Sequence, residues 1–344
     1  MGLTRSDTIL KYIVEYFIKN AQPVGSHTLI EEYGLNYSSA TIRNEMFALE
    51  KMGYIEKTHS SSGRVPSSKG YRYYCEHLRD KSVDESLKNS LQVVLEQKVR
   101  SIEEVIKESC EILSHMTNLV SVVSGSNGNV ERLANVQLIQ ISDNTLTAVF
   151  VTDKGYVENK TFIIPNTIKS SEVVDCVNLL NERLKGTPVN ELVEKMESLK
   201  PILNDYVVSH DIVYQALLET FIRFAGDRLS LYGREELFNQ PEFRNDAEKL
   251  QEVFKLLNDK SLFKEVNQEF EDNDKVKLNI GEANPDVSMV TTKFKIGDGE
   301  ESTITLLGPT RMDYDKVLSA LEYLTEELNK YFNDLNKGGN NGDA

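Results

Sequence analysis

The chain is poor in the residues that staple a fold or catalyse a reaction. Its three cysteines, Cys75, Cys110 and Cys176, lie far apart with no CxxC spacing, which excludes a disulfide framework and argues against a zinc site. The five histidines stand singly at His27, His59, His77, His115 and His210, so even His210 beside Asp211 is read as isolated rather than as a metal or general-base pair. There is no GxSxG, Walker A, HExxH or complete GxGxxG motif. Glu271, Asp272 and Asp274 lack the spacing and the terminal Glu of an EF-hand, so a solvated acidic turn is expected there. The expectation is no enzyme, no metal and no cofactor. No apolar run approaches the roughly 20 residues that span a bilayer. Arg5 and Asp7 are followed by an amphipathic pattern rather than a cleavable signal. A cytoplasmic protein that makes no use of a membrane is expected.

What is present is an ordinary soluble composition, 40% hydrophobic and 27% charged, in a length that suits two or three domains. The net charge of -15 is unevenly spread. Residues 1–80 hold ten Lys and Arg against nine Asp and Glu, which leaves 29 of the 39 basic and 45 of the 54 acidic residues to the remainder. A surface for an anionic partner therefore belongs to the N-terminal end, and the acidic remainder weakens nonspecific DNA binding.

Ile9, Leu10, Ile13, Val14, Phe17 and Ile18 recur at helical spacing and predict a helix over 7–20, ended by Pro23 and Gly25. Ser26 is expected to cap a short helix to Tyr33, closed by Gly34. Ser38 is expected to cap a third helix with Ile42, Met46, Leu49 and Met52 as its apolar stripe and Gly53 as its stop. Short β-prone runs at 54–57 and 64–66, joined by a Ser/Gly loop, predict a hairpin. Three helices and such a wing make a winged helix-turn-helix whose third helix enters the major groove. Residues 84–117 read as largely helical, with Leu87, Leu91, Leu95, Val99, Ile102 and Ile106 at steps of four and three; the pattern suits either a helix packed on the second domain or an intersubunit pair. Strands at 119–123, 136–141, 146–151 and 157–164 predict a β-meander. Helical patterns follow over 170–228 and 244–270. Strands come next at 276–280, 288–295 and 302–307, the last two joined by a hairpin at Gly297, Asp298 and Gly299. A last helix over 313–332, capped by Asp313, leads to a Gly/Asn-rich tail from Lys337 that is expected to be disordered.

The run Ser38-Ser39-Ala40-Thr41-Ile42-Arg43-Asn44-Glu45-Met46 closely resembles the HrcA family of heat-inducible transcription repressors. So do His59-Ser60-Ser61-Ser62-Gly63-Arg64-Val65-Pro66 and Lys69-Gly70-Tyr71-Arg72-Tyr73-Tyr74. Leu307-Gly308-Pro309-Thr310-Arg311-Met312-Asp313-Tyr314, Gly155-Tyr156-Val157-Glu158-Asn159 and Asn181-Glu182-Arg183-Leu184 look like the same family. The resemblance covers essentially the whole chain. It implies an α+β protein of three domains: a winged helix over 1–80, a linker helix plus GAF-like domain split between 81–132 and 227–336, and an inserted dimerising domain over 133–226 with a β-meander and flanking helices. It further implies repression of chaperone operons through an inverted-repeat operator called CIRCE, with activity maintained by the GroEL-type chaperonin. A metabolite-responsive regulator that senses an effector in the GAF-like part is the competing expectation.

With Ile42, Met46 and Leu49 facing the core, Ala40, Asn44 and Lys51 fall on the opposite face and Thr41 and Arg43 on its flanks. Asn bonds an adenine edge, Arg a guanine edge, and Ala or Thr touches a thymine methyl, so Asn44 and Arg43 are the leading base readers. Ser38 and Ser39 sit where a helix N-terminus suits a phosphate, or simply cap the helix. Lys57, His59 and Arg64 in the wing are assigned to the phosphate backbone or the minor groove. Lys69 and Arg72 are secondary candidates, and Tyr71, Tyr73 and Tyr74 are expected to pack the wing against the rest. A homodimer is expected because one winged helix reads only a few base pairs and a two-fold dimer matches an inverted repeat. Helical residues 212–224 suit its interface or the core equally.

Overall fold

Thr4 opens the first helix, α1 (Arg5–Asn20), with a reciprocal capping box: its hydroxyl accepts from the Asp7 N–H at 3.1 Å and the Asp7 carboxylate accepts from the Thr4 N–H at 3.2 Å. Such a box satisfies two of the donors that a helix start leaves open. The computed structural model describes residues 2–58, 63–96, 102–125, 131–153, 155–165, 170–206, 214–215, 218–219, 221–222, 229–268, 270, 275–296 and 300–339. His59, residues 60–62 of the expected wing, Glu271 to Asp274, the expected turn at 297–299, His210 with Asp211 and most of 212–224 lie outside them.

α2 (Ser26–Tyr33) begins one residue earlier than expected: Gly25 is its N-cap, without a side-chain bond, and Ser26 is instead a buried helical residue whose hydroxyl lies 2.9 Å from that of Ser39. α3 (Ser39–Lys51) is capped as expected, the Ser38 hydroxyl accepting from the Thr41 N–H at 3.1 Å. Strands β1 (Ile55–Lys57) and β2 (Arg64–Pro66) pair antiparallel, and Val24 bridges to Arg64 beside them. α4 (Ser68–Tyr73), capped by Ser67, runs on into a π-helical turn, Tyr74–Leu78.

The run expected to be helical over 84–117 is interrupted. α5 (Glu85–Leu95) ends at Glu96 and α6 (Ile102–Thr117) follows. The two helices contact each other, and Leu87 and Leu91 join Val105, Ile106 and Leu113 in one core. The stripe therefore belongs to two amphipathic helices that pack on each other within the chain. Strand β3 (Val120–Ser124) also departs from expectation. It does not open the meander but pairs with β10 (Glu300–Pro309) and β7 (Leu229–Tyr232), in a five-stranded antiparallel sheet of order β7-β3-β10-β9-β8 with β9 (Val287–Ile296) and β8 (Val276–Asn284). One face of this sheet, with Val290, Phe294, Ile304 and Leu306, joins the core of α5, α6 and the C-terminal helix Tyr314–Gly339. The other face, with Val122, Met289 and Leu307, packs on Leu237, Val253, Leu257 and Phe263. The C-terminal helix has Asp313 at its start, accepting from the Lys316 N–H at 3.1 Å, and continues through Lys337 to Gly339, residues expected to be disordered. Extending a helix already anchored by packing costs far less than nucleating one.

The chain divides into two compact units, Met1–Ser124 with Leu229–Ala344, and Gly125–Arg228. In the second, β4 (Leu133–Ser142), β5 (Thr145–Thr152) and β6 (Val157–Ile163) form an antiparallel meander. Leu146, Ala148 and Phe150 are buried with Val177 and Leu180 of α7 (Ser170–Leu184) and Met196 of α8 (Leu192–Tyr206). Asn181 clamps α7 to β4: its amide donates to the Val136 carbonyl at 2.6 Å and accepts from the Val136 N–H at 2.7 Å. Tyr214 and Phe221 are buried in this core. Both units mix helices with antiparallel sheet, an α+β architecture. Among the described residues no helix is long and apolar enough to cross a membrane.

In the first unit the N-terminal helices share a core with the five-stranded sheet. Tyr71 packs on Tyr314 at 5.2 Å between ring centres, Arg311 donates to the Ile18 carbonyl at 2.9 Å, and Tyr74 donates to Asp315 at 2.8 Å. Burial is the largest influence on the Asp315 carboxyl and, with Asp313 nearby, holds its pKa above the usual 3.8 against the bond from Tyr74. A raised carboxyl favours the protonated form in the fold, so its stabilising contribution is present below the unfolded pKa and lost as pH rises through the folded value. Asp315→Asn keeps an acceptor for Tyr74 and removes the buried charge. It is expected to raise Tm at pH 7, with the gain shrinking toward about pH 3; a gain that stays constant across that range would show that charge is not the cause. Gly70 offers a steric test, because a Cβ there would stand 2.0 Å from the Tyr54 carbonyl oxygen. Gly70→Ala is expected to cost about 2 kcal/mol or more in thermal or denaturant unfolding, and unchanged stability would mean that α4 shifts freely.

Candidate nucleic-acid interface

α3 is rotated by its apolar stripe. Ile42, Met46 and Leu49 are 0%, 5% and 2% exposed, and at 100° per residue this leaves Ala40, Arg43, Asn44, Phe47 and Lys51 within about 100° of arc on the outer side. Ala40, Arg43, Asn44 and Lys51 are all exposed. Arg43 and Asn44 form no ion pair or hydrogen bond among the described residues, so their donors face water. Lys51 stands in the last turn, where a cation also suits the helix dipole.

The two carboxylates of α3 are tied down beside this surface. Glu45 accepts from the Ser6 hydroxyl at 2.6 Å and from the Arg5 guanidinium at 2.7 Å. These bonds, Ser6 foremost, hold its pKa below the ordinary glutamate value. Glu50 accepts from Arg64 at 3.0 and 2.7 Å. The outer face thus presents two cations and an amide while the glutamates are occupied by protein cations.

The remaining residues expected at the interface divide by their partners. The hydroxyl of Ser38, which is exposed, accepts from Thr41 N and lies 2.8 Å from the half-buried Thr41 hydroxyl; the Ser39 hydroxyl meets Ser26. Both serines are thus committed to the start of α3. Lys57 is exposed at the end of β1, opposite Arg64. The Arg64 side chain is only 12% exposed and is held by Glu50. Lys69 donates to the Met52 carbonyl at 2.9 Å and lies 4.6 Å over the Tyr54 ring. Arg72 pairs with Glu282 at 2.5 Å. Tyr71 and Tyr74 are buried, as the packing role requires, and Tyr73 donates to Asp7 at 3.0 Å. Sequence reasoning missed two participants. Arg5 neutralises Glu45 from across the helices, which no local pattern reveals. Phe47, 66% exposed, stands out of phase with the buried stripe, and that phase was the available signal.

A family model described as the HrcA protein C terminal domain matches residues 103–318. Two relatives bear the name heat-inducible transcription repressor HrcA. The one from Halalkalibacterium halodurans is 35% identical over 334 residues, covering 95% of this chain and 96% of the relative. The one from Bacillus pumilus is 37% identical over 346 residues, covering 97% and 99%. A solved structure described as that of a hypothetical protein at 2.2 Å resolution superposes with a TM-score of 0.60 at 24% identity, over 97% of this chain and 99% of that one; this is a likeness of fold.

The two hairpin cations, Lys57 and Arg64, separate cleanly in an experiment. Lys57→Ala is expected to flatten the slope of log affinity for duplex DNA against log salt by about one, the mark of a lost phosphate contact. Arg64→Ala is expected to lower Tm, since it strands Glu50, while leaving that slope unchanged. The reverse pattern would exchange the roles of the two residues.

Proposed function

The chain belongs to the HrcA family of heat-inducible transcription repressors, and on that basis we propose that it represses chaperone operons by binding a CIRCE-type inverted repeat as a homodimer, in the cytoplasm, with the GroEL-type chaperonin maintaining its active form. The three helices and hairpin at the N-terminus serve as a winged helix-turn-helix, α3 entering the major groove. The observation that carries this reading is the outer face of α3, where Arg43, Asn44 and Lys51 are exposed while Glu45 and Glu50 are neutralised by Arg5 and Arg64. Asn44 and Arg43 read base edges. Lys57 and Lys51 meet phosphates, with the start of α3 at Ser38 and Ser39 close to the backbone. Arg64, Lys69 and Arg72 hold the wing and α4 in place, by their bonds to Glu50, Met52 and Glu282. The five-stranded sheet with its helices takes the part of the GAF-like domain.

The unit 125–228 supplies the second copy's docking surface. The face of the meander away from α7 and α8 carries Ile139, Val157 and Ile163 at 47%, 50% and 69% exposure, opposite Thr147, Val151 and Thr145 in register. Directly paired residues share a face, so these form one apolar and hydroxyl surface, of the kind that a two-fold interface buries.

Fluorescence anisotropy on a labelled CIRCE-type duplex and a scrambled duplex, at two salt concentrations and with and without chaperonin, tests the whole reading. Asn44→Ala and Arg43→Ala are each expected to weaken binding to the repeat by roughly five- to 150-fold, the cost of one bidentate base contact, with little change on the scrambled duplex. Equal affinity of the folded protein for both duplexes, with chaperonin present, would sink operator recognition.

A further inference from the structure

Phe47 is the one large apolar side chain on a helix face otherwise made of small or polar residues. It follows Asn44 by three positions and Arg43 by four, and precedes Lys51 by four, so these surround it on α3. At 66% exposure it gives nothing to the core that Ile42, Met46 and Leu49 already fill. Among the described residues no ring or cation packs against it. A phenylalanine held in water on a rigid helix gains only when something apolar covers it.

The surroundings select the cover. A protein groove that matched this face would have to answer the charges of Arg43 and Lys51 with acidic groups and Phe47 with an apolar pocket. A DNA major groove supplies both features at once, phosphates along its walls and, on its floor, the 5-methyl group of thymine as its apolar element. The helical rise places Phe47 about 4.5 Å along the axis from Asn44, a distance of about one to two base-pair steps at 3.4 Å each. We propose that Phe47 is a specificity-determining residue of this chain and reads thymine methyl groups next to the base contacted by Asn44. The inference rests on the operator-binding reading and sharpens it, by adding an apolar contact to the polar ones.

The test removes the methyl without touching any hydrogen-bonding edge. Each thymine of a labelled CIRCE-type duplex is replaced singly by deoxyuridine, and the duplexes are titrated with wild type, Phe47→Ala and Phe47→Leu. Wild type is expected to lose about fourfold in affinity at one or two thymines per half-site, the value of one buried methyl. Phe47→Ala is expected to bind the unmodified duplex more weakly by a similar factor and to be indifferent to uridine at those same positions. Phe47→Leu should retain part of the sensitivity, and all three proteins should share one Tm because the side chain is outside the core. Wild-type affinity in Phe47→Ala, or undiminished uridine sensitivity in it at the same positions, overturns the assignment and leaves operator binding intact. Failure of wild type to prefer the repeat over a scrambled duplex overturns operator binding itself, and the assignment with it.

Discussion

Ile42, Met46 and Leu49 of α3 are buried in the core that also holds Ile9, Leu10, Ile13 and Val14 of α1, and the rotation of α3 about its own axis follows from that contact. Burying each such side chain is worth about 1.5–3 kcal/mol. Of the ion pairs along the same helix, Arg5–Glu45 has a half-exposed member and a pair of that kind is worth about 0–1 kcal/mol, while in the more buried Arg64–Glu50 desolvation offsets much of the attraction. The apolar stripe therefore decides which residues face outward, and the ion pairs adjust the charge of what is presented. A polar substitution at Met46 would disturb the outer face of α3 more deeply than loss of either glutamate, although Met46 itself is buried.

The charge of the whole molecule is a poor guide to this surface. The net value of -15 is a sum over a chain far longer than the distance at which charges act through physiological salt, about 8 Å. Within that distance of α3 the balance depends on which carboxylates are already paired. Arg5 and Arg64 spend their charge on Glu45 and Glu50 and so contribute to the local field indirectly, by removing two negative charges. A count of lysines and arginines credits Arg64, Lys69 and Arg72 equally with Lys57. The structure separates them, because the first three meet Glu50, the Met52 carbonyl and Glu282.

What could be read from sequence was what depends on neighbours three or four residues away. The buried stripes of α1 and α3, the Ser38 cap and the strands of the hairpin are local signals and stand in the structure, except that Met52, expected in the α3 stripe, is its exposed C-cap. Strand allegiance is not local. Residues 119–123 read as a strand, yet β3 belongs with β10, from which more than 170 residues separate it, and the run 133–163 that follows it forms its own sheet. β7, four residues long, is held by pairing to β3 and has too little pattern of its own to announce itself. The break at Glu96 was hidden for a related reason: steps of four and three continue across it, and periodicity carries no record of a chain reversal. At the candidate interface the face of α3 was legible. The partners of its flanking charges were not, because Arg5 and Glu45 are 40 positions apart.

The hairpin is held by backbone bonds to the segment before α2 and by a side-chain pair to α3. Val24 and Arg64 exchange two backbone hydrogen bonds of 2.9 Å, which ties the base of the hairpin to the segment between α1 and α2. A Cβ at Gly63 would stand 2.8 Å from the Pro23 Cβ, so the hairpin approaches that segment as closely as a residue without a side chain allows. Arg64 then reaches Glu50 on α3 from the same strand. Lys57 stands opposite Arg64 in the hairpin. Ordering a mobile side chain or loop costs about 0.5–1.5 kcal/mol for each immobilised group on binding, comparable to a base contact. A hairpin already tied to its surroundings avoids much of that cost, and Arg64, which the sequence offers as a phosphate ligand, is here engaged with Glu50.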